Sequence, residues 1–240
     1  MSSESAQITS EPDSTRQRDL VVLLVALGAA VVLARVVSGI TRSGGIPSPV
    51  LQVLAADLAV WLPLVVGAGW VLRHAERSVM LSRLRLDLGA VVFAIGIVVV
   101  CRAVDVVLSI AFTGSTGLAP APTLGTPDVG LLIVSAIGIV LVSPFLEEIV
   151  FRGLFQQRLA AELTPRTRFL AVLLTALLFA FLHLLLGAGT TPLGGVQVFV
   201  TTFLLGLLTG TLVAMTGRIG GAILAHVLFN AVAVVATWPR

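Results

Sequence analysis

Seven stretches of about 17 to 25 apolar residues recur along the chain, at residues 20–40, 50–72, 88–112, 129–145, 169–186, 193–215 and 219–238. Each has the length at which an α-helix crosses the roughly 30 Å hydrocarbon core of a bilayer. The pattern predicts an all-α fold, a polytopic transmembrane helical bundle of about seven spans. Composition agrees: of 240 residues, 57% are hydrophobic and 11% charged, and the mean hydropathy of +1.08 lies far above that of soluble globular domains.

Arginine supplies all 15 basic side chains and lysine none. No basic tract interleaved with aromatics is present, so the basic balance speaks for loops facing a membrane surface and against nucleic acid as a partner. The single cysteine, Cys101, lies in an apolar run and reads as an inert buried thiol.

Residues 1–19 are polar and contain Pro12, which predicts a disordered cytosolic tail ahead of a single transmembrane domain over residues 20–240. The first span follows Arg16 and Arg18 and reads as a signal anchor, since six more spans come after it. Arg16 and Arg18, then Arg73, Arg77, Arg83 and Arg85, then Arg158, Arg166 and Arg168, then Arg218 occupy alternate connections. By the positive-inside rule these connections are cytosolic, with the N-terminus inside and the C-terminus outside. An irregular outer loop is expected around Pro120, Pro122 and Pro127.

Against this background the run Glu147-Glu148-Ile149-Val150-Phe151-Arg152 stands out. An ionisable side chain at the centre of a spanning helix costs on the order of 3 kcal/mol, so adjacent acids there need a partner, a wet cavity or a task. Glu148 and Arg152 are four apart with the acid first, the favourable arrangement for an ion pair on one helical face. Glu147, about 100° round the helix, is left as a free carboxylate and candidate general base. Pro144 has no amide hydrogen, which predicts a kink or opened turn just before the acids.

His183 in the fifth span and His226 in the seventh, with Asn230 one turn later, supply imidazoles and an amide. Glu147 and His183 are each eighteen residues from Pro165, so an antiparallel turn there makes them level. His226 lies only seven residues into its span. For all three to meet, the fourth and fifth helices must extend past the cytosolic face. One carboxylate, two imidazoles and an amide suit amide hydrolysis, in which a base or a metal activates water and donors stabilise the oxyanion. Glu147, His183 and His226 also offer a ligand set for Zn²⁺ or another divalent metal with an open water position. Neither GxSxG nor HExxH occurs, and Ser109, Ser135 and Ser143 have no histidine near them in sequence.

Three motifs resemble those of CPBP intramembrane proteases, the family of CAAX prenyl endopeptidases of type II and Abi proteins. Glu147, Glu148 and Arg152 match EExxxR, Phe179 and His183 match FxxxH, and His226 and Asn230 match HxxxN. The resemblance covers residues 129–240 as a catalytic core, leaving the first three spans to topology. It implies an intramembrane endopeptidase with a cytosol-facing catalytic cavity, acting on a membrane-associated peptide or protein. Glu147 and His183 would activate water, His226 and Asn230 would hold the oxyanion, and Glu148 with Arg152 would support Glu147. The family is called metalloprotease, and a metal-free glutamate mechanism is also proposed within it.

The arginine-only, Ala/Val/Leu-rich composition points to a bacterial plasma membrane, where a peptide precursor is as good a substrate as a CAAX protein. A non-catalytic scaffold or immunity-type protein, and a proton-coupled transporter, are the competing functions. Gly206 and Gly210 read as a face for close helix packing, Arg102 and Asp105 as a pair, and His74 as a solvated loop residue. Arg35 is expected to snorkel outward, and Asp57 has no reading.

Overall fold

The computed structural model describes residues 13–73, 83–120, 128–187 and 191–239, and every element in them is helical. Seven helices follow one another: α1 Asp13–Arg42, α2 Pro49–Leu72, α3 Leu88–Thr113, α4 Val129–Glu162, α5 Phe169–Leu185, α6 Pro192–Thr216 and α7 Gly220–Thr237. Six are long and apolar enough to cross a membrane. The seventh, α5, has 17 residues and is equally apolar. The chain is a multi-pass membrane protein.

Local chemistry sets the helix starts. Side chains of Ser48, Asp87, Asp128 and Thr191 accept from the amides of Leu51, Ala90, Leu131 and Gly194, each occupying one of the four amide hydrogens that a helix start leaves without a partner. Pro49 and Pro192 follow directly, at the position where a missing amide hydrogen costs nothing. Gly114 and Gly217 end α3 and α6 at φ +74° and +67°, the left-handed conformation that a Cβ disfavours.

The fourth helix extends beyond its apolar run, as the meeting of Glu147, His183 and His226 requires. The apolar run ends at Phe145, yet the helix continues to Glu162, for 34 residues or about 50 Å, some 20 Å more than a bilayer core. Two π-helical segments, Gly138–Val142 and Ile149–Phe155, bracket the acids. The opened turn expected before the acids is the first of these. The Ser143 amide donates to Gly138 O, five residues back, immediately ahead of Pro144.

The polar tail is shorter than the sequence suggests. Asp13 to Asp19 form the first turns of α1, because two of their charged side chains meet the far end of α4. Arg16 Nε lies 2.7 Å from Glu162 Oε1, and Asp19 Oδ2 lies 3.2 Å from Arg158 Nε. Residues 1–12, His74, Arg77, Pro122 and Pro127 lie outside the described residues.

Two apolar cores account for most of the packing. One apolar core joins α1, α2, α4 and α5 through Leu23, Leu27, Leu64, Phe151, Phe155, Phe179 and Leu182. A second joins α3, α6 and α7 through Ile97, Val98, Leu205, Leu212 and Phe229. At Gly67 a Cβ would stand 2.6 Å from the Cβ of Ala26, so glycine is what lets α1 and α2 touch there. Outward faces such as Val21, Val25, Val66, Val92, Val99 and Val235 are exposed and apolar, as lipid contact requires. Helix α4 belongs to the first core and also touches α7 of the second, and it carries the paired acids.

Candidate active site

The π-helical turns displace α4 from regular geometry where its acids lie, and side chains take up carbonyls in and beside them. Asn230 Nδ2 donates to Ile139 O at 2.8 Å, Gln157 Nε2 to Arg152 O at 3.4 Å, and Arg83 Nη1 to Gly153 O at 3.5 Å. Between the two segments stand Glu147 and Glu148, both buried.

The two acids have different surroundings. Glu148 is fully buried and held from two sides: Oε2 lies 3.3 Å from Arg152 Nε, and Oε1 accepts from His226 Nδ1 at 3.0 Å. Arg152, also fully buried, has its guanidinium carbon 4.4 Å from the Phe179 ring centre and 5.7 Å from that of Phe151, where the aromatic faces favour a cation. Glu147 makes no hydrogen bond within the described residues. Its Oε2 lies 3.9 Å from Nε2 of His183 and 3.9 Å from Nε2 of His226.

Hydrogen bonding fixes how the imidazoles present themselves. A carbonyl oxygen only accepts, so His183 Nδ1, 2.9 Å from Phe179 O, carries the proton and leaves Nε2 as an acceptor in the neutral ring. His226 donates from Nδ1 to Glu148, so its Nε2 accepts in the neutral ring and donates in the cation. The Phe179 ring sets both in place, edge-on to His183 at 4.4 Å and to His226 at 5.7 Å between centres. A separation of 3.9 Å is too long for a direct hydrogen bond and suits one bridging water.

Glu147, Glu148, Arg152, His183 and His226, from three helices, thus come together. The assignment of Glu148 to Arg152 agrees with the i,i+4 spacing. The second tie of Glu148, to a residue 78 positions away, has no sequence signal. Asn230 is one turn beyond His226, with one amide hydrogen spent on Ile139 O and the other remaining. Ser143 is bound by Trp61 Nε1 at 2.9 Å. His183 is the most open of the three central side chains, at 22% exposure against 9% for Glu147 and 4% for His226.

The same atoms test the metal reading. A tetrahedral zinc with ligands at about 2.1 Å holds its donor atoms roughly 3.4 Å apart. The 3.9 Å separations are wider, and among the described residues no group of three or more His, Cys, Asp or Glu is arranged to hold a metal ion. As they stand the residues do not fit the ion, and no step below passes through it.

A second polar cluster inside the bundle was legible only in part. Arg102 and Asp105 pair as expected, Nη1 to Oδ2 at 2.6 Å. Arg102 Nε and Nη2 also donate to Phe229 O at 3.1 and 2.7 Å, and Gln197 Nε2 donates to Asp105 Oδ1 at 2.8 Å. The cluster clamps α7 three residues beyond His226.

Residues 129–232 match the family described as Type II CAAX prenyl endopeptidase Rce1-like. No curated protein and no solved structure matches the chain. The match begins with α4, ends within α7 and includes every residue gathered around Glu147, so residues 129–232 of the chain are similar to the Rce1-like endopeptidase family.

Proposed function

We propose that this protein is an intramembrane endopeptidase that hydrolyses a peptide bond of a membrane-associated substrate by water activated at Glu147. The observation that carries the reading is the placement of Glu147, a buried residue whose Oε2 has no hydrogen bond among the described residues and lies 3.9 Å from two imidazole Nε2 atoms. A water there gives one hydrogen to Glu147 and one to His183 Nε2. Its oxygen attacks the scissile carbonyl carbon as its proton passes to Glu147. His226, as the imidazolium with Nδ1–H on Glu148, donates Nε2–H to the oxyanion, and Asn230 contributes its remaining amide hydrogen. When the C–N bond breaks, the proton on Glu147 moves to the leaving nitrogen, giving a carboxylic acid and an amine. Glu148 and Arg152 hold His226 in the required orientation.

Were Glu147, His183 and His226 to close by about half an ångström they would hold zinc or another divalent cation, which would supply Lewis-acid chemistry at the site. Turnover measured before and after chelation separates the metal-dependent and metal-free cases. Activity lost with the metal and restored by its return would favour the cation.

The alternating arginine connections support a cytosolic N-terminus, an external C-terminus and a site nearer the cytosolic face. The substrate class is a membrane-associated peptide, either the CAAX type for which the matched family is named or a bacterial peptide precursor. The test is purified protein in lipid nanodiscs against a library holding both prenylated CAAX-type and unmodified peptides, with new termini read by mass spectrometry. Cleavage supports the reading. No cleavage, together with proton-coupled flux in proteoliposomes, would replace it with transport.

A further inference from the structure

Next to the site, a set of buried polar groups finds no partner among the described residues. Arg152 Nη1 and Nη2, Gln156 Oε1 and Thr175 Oγ1 are all without a hydrogen-bond partner among the described residues. Their side chains are nearly or fully buried: relative exposure is 0% for Arg152, 2% for Gln156 and 1% for Thr175. Leaving such groups unpaired in an apolar interior carries their full desolvation penalty, so four together call for a ligand.

The groups share one seam between α4, α5 and α6. Arg152 and Gln156 are one turn apart on α4, and both face the glycine stripe of α6. A Cβ on Gly206 would stand 3.0 Å from Arg152 Nη2 and 3.2 Å from Ala176 Cα, and one on Gly210 would stand 2.8 Å from Gln156 Oε1 and 3.0 Å from Val172 Cγ1. Thr175 lies on α5 between those two contacts. The glycines therefore make room for polar side chains of α4, beyond allowing α5 and α6 to approach. Gln156 anchors the seam through Nε2, which donates to Gly210 O at 2.9 Å.

The seam opens at one end. Gln156 also lines a cavity of about 730 Å³ with Arg168, Val172, Leu207, Thr211 and Met215, where α4 ends and α5 begins. At its other end the seam reaches the Arg152–Glu148 pair, next to Glu147. The seam offers guanidinium donors, an amide acceptor and a hydroxyl that does either, and its one cation is already paired with Glu148. Such a set suits a neutral molecule with both donors and acceptors, small enough to sit among helices in contact.

We propose that the α4–α5–α6 seam is a water-binding path, with Arg152, Thr175 and Gln156 as its hydrogen-bonding rungs, that leads from the cavity at Arg168 towards the paired acids. This rests on the hydrolytic reading above, since each peptide bond cleaved inside a bilayer consumes one water. Gln156 and Thr175 are positioning residues: the water they hold supplies the partners that Arg152 lacks, and Arg152 in turn holds Glu148 on His226.

Hydroxyl-radical footprinting of the protein in nanodiscs tests the path without requiring turnover. Radicals generated from bound water oxidise the side chains beside it, so Phe151 and Phe179, both 0% exposed and both against the guanidinium, are expected to be labelled. Labelling should fall in Gln156→Leu/Thr175→Val, with thermal unfolding used to confirm the fold; if the double variant fails to fold, Thr175→Val alone serves. In the cleavage assay the loss of a hydrogen bond to a charged group predicts kcat lower by about tenfold at unchanged KM, with Thr175→Ser restoring it. Unlabelled phenylalanines in the wild type, or unchanged labelling in the folded variant, overturns the path. Persistent labelling without any peptide cleavage would leave the seam standing and remove the protease reading.

Discussion

Two polar clusters lie inside this bundle, and they differ in what they leave open. Around Arg102 the accounts close: all three guanidinium nitrogens donate, to Phe229 O or Asp105, and both oxygens of Asp105 have donors. Around Glu147 they do not, because among the described residues the carboxylate has only two imidazole nitrogens at 3.9 Å. Charge enclosed in a membrane is stabilised by pairing. A cluster that pairs completely acts as a clamp, whereas one that stops short of contact by the width of a water keeps room for a reactant. Glu148, bonded to His226 and paired with Arg152, differs from Glu147 in the same direction one residue away.

The comparison is broken or sharpened by substitution. The largest expected effect is at the open carboxylate: Glu147→Gln should lower kcat by roughly 10²- to 10⁴-fold, with little change in thermal unfolding. Next comes Arg152→Met, which leaves Glu148 buried and uncompensated and should cost about 3 to 5 kcal/mol of stability, read by denaturant titration in detergent. A variant of native stability would mean that Glu148 does not depend on the pair. Arg102→Met should cost less, about 1.5 to 3 kcal/mol, the scale of hydrogen bonds to a charged group, and should lower turnover only as far as α7 loosens. Gly210→Ala puts a methyl 2.8 Å from Gln156 Oε1 and should cost about 1 to 3 kcal/mol by overpacking.

The smallest effect lies outside the membrane. The Ala90 amide, assisted by Arg218 at 2.6 Å, holds the Asp87 carboxyl below the usual carboxylate range. A depressed folded-state value means that the stabilisation is fully present above the unfolded value, near pH 4, and is lost as pH falls through the folded one. Thermal unfolding of Asp87→Asn should therefore differ slightly from wild type at pH 6 and converge with it in stronger acid. A difference that persists there would assign the effect to packing.

Most of the frame was legible because membranes impose length and polarity on a sequence. The order of the spans followed from apolar runs, and the Glu148–Arg152 and Arg102–Asp105 pairs from helical spacing. What spacing could not carry is contact between helices. The Nδ1 tie of His226 to Glu148 joins residues 78 apart, and the clamp of Arg102 on Phe229 O joins residues 127 apart. The extension of α4 past Phe145 was legible from the need to bring His226 level with the acids, but its partners were not: Arg16 and Asp19 of α1 pair with Glu162 and Arg158. Pro144 signalled an opened turn, whereas the second π-helical segment, beyond the acids, has no such marker. Gly206 and Gly210 were read as a packing face, and they face Arg152 and Gln156 as well.

The central claim is that the open cluster does chemistry and the closed one holds structure. Turnover and thermal unfolding of Glu147→Gln and Asp105→Asn, measured side by side in nanodiscs, test it directly. Glu147→Gln is expected to lose cleavage and keep its unfolding temperature, and Asp105→Asn to lose unfolding temperature and keep most of its cleavage. Wild-type turnover in Glu147→Gln, or a loss of cleavage confined to Asp105→Asn, would contradict it.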